Sequence, residues 1–225
     1  MAYQGLPRQT VDFLAGLAAE PTKPWFDAHR DDYERYWKAA GLDLVEALGP
    51  YCSRTVPRIE ALPRVGGSLR RINRDVRFSA DKTPYAPMLH LAFTVAAGPK
   101  HRGVHLVIQP QSLDFGAGEY GLPPAALEHF RRRVCNEAER AELLRAAAEI
   151  EALGGQWDAP DLKRVPQGFD AAPDWDHLLR RKSVILRGSM PLPDWLFTPD
   201  ALWHLEAILD AHLPLLGWLG AQERP

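Results

Sequence analysis

The 225 residues read as a single α+β domain, 1–225, in which a small, mostly antiparallel sheet packs against several helices. Three observations predict this. Three short segments in the middle of the chain alternate apolar and polar residues. Longer segments on both sides repeat apolar residues at helical spacing. No internal repeat, low-complexity tract or long linker divides them, and 46% hydrophobic residues supply material for one substantial core.

Taken in order, Thr10 is expected to cap a short helix that carries Val11, Leu14 and Leu17 on one face and ends at Pro21. Pro24, a favourable first-turn residue, opens a second helix running past Lys38. On it Phe26, Arg30, Tyr33 and Trp37 share a face, with Trp25, His29 and Tyr36 as a neighbouring stripe. Aromatic core contact is the favoured role, and a ligand wall the alternative. Leu42, Val45 and Leu48 continue the helical pattern until Gly49-Pro50.

The segment GGSLRRINRDVRFSADKTPYAP after Pro63 is polar and irregular. Stretches this long without their own helix or strand are uncommon in compact domains unless they carry function. Leu89–Val95, Val104–Gln109 and Leu113–Ala117 then alternate as three consecutive strands, with turns at Gly98-Pro99-Lys100-His101 and Pro110-Gln111. If Leu89, Leu106 and Leu113 face the core, His90, His105 and Asp114 share the opposite face. Hydrogen-bonded histidines are favoured there over metal ligands, since the spacing matches no standard ligand motif.

Helices resume at Pro123-Pro124, and Asn136 is expected to cap the next one, which Gly154-Gly155 ends. Asp174 is expected to cap a short helix before a buried strand at Ser183–Leu186. A last helix over Pro199–Leu219 sets His212 beside an apolar seam.

The formal net charge of −2 argues against general nucleic-acid binding, which usually needs a marked positive excess. Positive charge is instead local. From Arg64 to Lys82 six basic residues face two acidic ones, a local excess of +4. Two distant cysteines without a CxxC suggest neither a disulfide framework nor a thiolate zinc site, so a reducing cytoplasm is the expected location. No segment reaches the roughly 20 apolar residues of a bilayer crossing, and no membrane association is expected.

Guanidinium groups present planar forks of donors suited to phosphate and carboxylate oxygens. The expected partner is therefore a small anionic ligand held by Arg71, Asn73, Arg74, Arg77, Ser79, Lys82 and Tyr85, with Arg181 and Lys182 folding back to deepen the pocket. Asp75 and Asp81 are the candidate catalytic residues, as proton acceptors or Mg²⁺ ligands in phosphoryl hydrolysis or transfer. The alternative is a protein or nucleic-acid interaction module in which the Arg/Asp loop is a structural salt-bridge network. No motif names a metal site, a cofactor or an oligomeric state, and the glycine-rich phosphate loops and the HExxH and GxSxG signatures are missing.

Three stretches carry a resemblance: FLAGLAAEPTKPWFDAHRDDYERYW, RINRDVRFSADKTPY and LKRVPQGFDAAPDWDHLLRRKSV. In this order they resemble the DUF2461 family of bacterial and fungal proteins. The resemblance implies that Arg71 to Tyr85 form one motif. It implies no established activity, cofactor or substrate, because the family is defined as one of unknown function.

Overall fold

A computed structural model describes residues 3–221. Helices α1 (Arg8–Ala19), α2 (Lys23–Ala28), α3 (Arg30–Asp32) and α4 (Ala40–Cys52) open the chain, with a π-helical segment, Tyr33–Ala39, between the last two. Strands β1 (Ile59–Glu60), β2 (Leu89–Val95), β3 (Arg102–Ile108) and β4 (Ser112–Glu119) follow. Then come α5 (Pro124–Cys135), α6 (Glu137–Glu151), β5 (Gln156–Trp157), α7 (Asp176–Leu179), β6 (Val184–Pro191) and α8 (Ala201–Gly220). The six strands form one antiparallel sheet in the order β1-β2-β3-β4-β6-β5. This is the α+β architecture the alternating segments predict.

Several local expectations shift. Thr10 lies inside α1, buried, and its hydroxyl donates to the Tyr36 carbonyl, so it ties α1 to the π-helical segment rather than capping a helix. The Thr22 hydroxyl accepts from Trp25 N–H ahead of Pro24, and the Asn136 side chain caps α6 by accepting from Glu139 N–H at 3.1 Å. Pro50 does not stop α4, which runs on to Cys52. The short α7 starts at Asp176 with no side-chain cap, so Asp174 is not its cap. The strand expected at Ser183–Leu186 is longer, because pairing with β4 carries it to Pro191.

The core lies on one sheet face, where Leu91, Phe93, Leu106, Ile108, Leu113 and Leu186 are fully buried under α4, α6 and α8. Phe115 meets the ring of His212 edge to face at 5.6 Å, which fixes α8 beneath β4. The aromatic stripe is core: Tyr33 stacks on Trp37 at 5.2 Å and packs on Phe26 at 5.0 Å. Near one end of the sheet, Arg102 and Glu119 stand opposite each other on β3 and β4 as a buried two-pronged ion pair at 2.8 and 2.9 Å. No helix among the described residues is long and apolar enough to cross a membrane.

Candidate functional site

The second sheet face carries the polar residues. Because successive side chains alternate, the register sets His90 opposite Val107, Val107 opposite Asp114, and Asp114 opposite Ser189. Arg70 extends this row beyond β2, its backbone N–H donating to the His90 carbonyl at 2.8 Å. The next row runs through Ala92, His105, Gly116 and Arg187 to Gln156. Gly103 and Gly118 are paired beside it.

The three glycines are dictated by packing. An added Cβ would lie 2.3 Å from the Phe93 carbonyl oxygen at Gly103 and 2.8 Å from that of Leu186 at Gly116. At Gly118, with φ +143°, it would lie 1.8 Å from the Val184 oxygen. The middle of the face is therefore bare peptide. Tyr120, 68% exposed, stands past the glycines with His101. Between these aromatic residues and the polar row lies a cleft of about 860 Å³, a volume suited to a small molecule.

At its polar end His90 Nε2 and His105 Nδ1 share one proton across 2.8 Å, and either ring can be the donor. Burial pushes both imidazoles down to about 4, with the charge of Arg70 adding to the effect at His90. At His105 the neighbouring His90, Arg70 and Arg187 all add to it. The pair is neutral near pH 7. One shared proton leaves one N–H and one lone pair for a guest. Ser189 Oγ donates to Asp114 at 2.6 Å, and Gln109 Nε2 donates to its other oxygen. Among the described residues, no three His, Cys, Asp or Glu side chains are grouped to hold a metal.

The Arg-rich segment has a different geometry from the one expected. Ser68 to Arg70 run along β2, and 72–74 pair with 84–86 to make a hairpin. Arg74 is bound to Asp81, and Arg77 to Asp75 at 2.7 Å, while Lys82 Nζ donates to the Val76 carbonyl at 2.9 Å. Hydrogen bonds from Thr83, then Arg74, hold the Asp81 carboxyl below the usual carboxylate range, and Arg77 does the same for Asp75. Both remain ionised near neutrality, where they serve their arginines and are poor proton acceptors. Arg71 and Asn73 are exposed on the hairpin stem, and Ser79 is half-buried near its tip.

Two further expected residues lie elsewhere. Tyr85 is not a pocket wall: it is in the core, stacked on Phe26 at 4.3 Å. Arg181 and Lys182 do not fold back beside Arg74 and Arg77, because β3 and β4 separate their end of β6 from β2. Arg181 is buried over Trp157 and donates to the Asp158 carbonyl, whereas Lys182 is exposed and its backbone is held by Asp161 and Leu122.

Reading the sequence missed Gly116, Gly118, Tyr120, Arg187, Gln109 and Ser189 as one site. Part of the signal was present: Asp114, Gly116 and Gly118 occupy every second position of one strand, and Tyr120 follows in step just past its end.

Fold and site together define an α+β protein with helices on one sheet face and a polar cleft on the other. The model of the family described as "Conserved hypothetical protein (DUF2461)" matches residues 9–218, and the chain belongs to that family. A search of curated proteins finds no match.

Proposed function

We propose that the cleft binds a small anionic ligand, phosphate- or carboxylate-bearing, centred on the His90–His105 pair. The observation that carries this reading is a hydrogen-bonded imidazole pair under the positive charge of Arg70 and Arg187. Arg70 has no carboxylate partner among the described residues, and Arg187, paired with Asp158 at 3.0 Å, stays 63% exposed. An anion there gains charge-assisted hydrogen bonds without having to displace a carboxylate from Arg70. The expected ligand class is kept, but its centre moves from the hairpin to the sheet face. A cytoplasmic setting belongs to the same reading, with Cys52 and Cys135 both free.

Thermal-shift titration with phosphate, sulfate, acetate and citrate tests it. The midpoint should rise with ligand concentration, and Arg70→Gln and His105→Gln should abolish the rise. Paired replacement of Arg74 and Arg77 by Ala should leave it intact. If the hairpin pair abolishes the rise and the cleft variants do not, the site is the Arg71, Arg74, Arg77 and Lys82 loop.

A second reading rests on Phe78, 95% exposed beside Arg77 at the hairpin tip. In that reading the hairpin docks a protein or nucleic acid, and oligonucleotide affinity should fall steeply with salt and with Phe78→Ala. A phosphoryl-transfer version would use Asp75 or Asp81 with Mg²⁺. Its test is metal-dependent phosphoester turnover that Asp81→Asn removes, and silence across the substrates would end it.

A further inference from the structure

We infer that the guest of this cleft is a flat aromatic or heteroaromatic ring bearing one acidic group, laid on the glycine floor between Tyr120 and the histidine pair. The inference rests on the anion-binding reading above and specifies what else the ligand must be.

The floor is the reason. Gly116 and Gly118 line the cleft two residues apart on one strand face, and Gly103, directly opposite Gly118, continues the surface without side chains beside them. Strand spacing is about 4.8 Å and a two-residue step about 6.6 Å, so the side-chain-free patch is about as large as a six-membered ring. A peptide surface without Cβ atoms admits a π-face at van der Waals distance, which a branched or puckered guest uses poorly. At one end stands Tyr120, a residue 68% exposed and so available to a guest. At the other end His105 shares a row with Gly116 and Arg187, so an acidic substituent on the ring's edge falls among donors. Val107 and Met88 add apolar wall beside the polar row.

Calorimetric titration with matched probes separates the requirements. Benzoate, nicotinate and phenyl phosphate carry an acid directly on a flat ring. Cyclohexanecarboxylate has the acid without flatness, and benzamide has flatness without charge. The expected result is that at least one flat acid binds roughly tenfold or more tighter than both controls, consistent with the usual size of a stacking contribution. Preference for benzoate or nicotinate would identify a ring carboxylate, and preference for phenyl phosphate a ring phosphate. Tyr120→Ala, a change at an exposed side chain, should weaken the flat acids by roughly tenfold and leave acetate and phosphate unchanged. Equal affinity for benzoate, nicotinate and cyclohexanecarboxylate, with no gain for phenyl phosphate over phosphate, would overturn the ring while leaving anion binding standing. Absence of binding by every anion would overturn both.

Discussion

His90 and His105 are the residues whose chemistry is most altered by the fold. Each is pushed down to about 4 in the folded protein from the ordinary value near 6.5. Between those values the unfolded chain binds more protons than the folded one, so stability rises with pH across this window. The contribution is fully present above about 6.5 and is lost as pH falls towards 4. Denaturant titrations at several pH values should show this slope, and the His90→Gln/His105→Gln double variant should flatten it. Arg102 and Glu119 make a second residue-scale prediction. Truncating Glu119 removes two charge-assisted hydrogen bonds from a buried site, so Glu119→Ala should cost roughly 1.5–3 kcal/mol in equilibrium unfolding. This pair was not legible in the sequence, because residues 102 and 119 become partners only once the strand register is fixed.

Among the elements, the hairpin and β4 differ in what they tolerate. The Arg74–Asp81 and Arg77–Asp75 pairs are solvent-accessible, and exposed pairs contribute little to stability. Replacing Arg74 and Arg77 with Ala should leave the unfolding midpoint almost unchanged. A large drop would mean that the hairpin is anchored through them. Strand β4 is far less forgiving. Gly118→Ala forces a Cβ against the Val184 carbonyl at an unfavourable φ and should cost about 3 kcal/mol or more, read from urea unfolding. The existence of β2, β3 and β4 was readable because each alternates cleanly. The two-residue strands β1 and β5 were not, since Ile59–Glu60 and Gln156–Trp157 are too short to show a period. The π-helical turn at Tyr33–Ala39 also escaped, because Phe26, Tyr33 and Trp37 still fall on one face across it.

For the whole molecule, the chain's composition and patterning gave the layer arrangement: apolar positions of the sheet face helices, and the polar ones face away. The motif at Arg71–Tyr85 was legible as a unit, but its electrostatics were not. Charge count cannot distinguish guanidinium groups that converge on a guest from those satisfied by Asp75 and Asp81 a few residues away. The cleft was half legible, through His90, His105 and Asp114, and its glycine floor needed the pairing of β3 with β4 and β4 with β6. A ligand that fills it stabilises the folded state by mass action, so a saturating flat acid should raise the melting temperature in proportion to the logarithm of its concentration.

The sheet's two outermost strands, β1 and β5, are two residues long each, and the chain leaves the ladder beside β1 before returning at Ser68. At the β1 border, where the segment from Ser68 to Arg70 also bonds to β2, an approaching polypeptide finds almost no row of unpaired amides, whereas β5 pairs with only Leu186 and Arg187 of the eight-residue β6. Growth of the sheet is thereby hindered at the β1 border, so any strand added in concentrated preparations should pair with the Gly188–Pro191 stretch of β6.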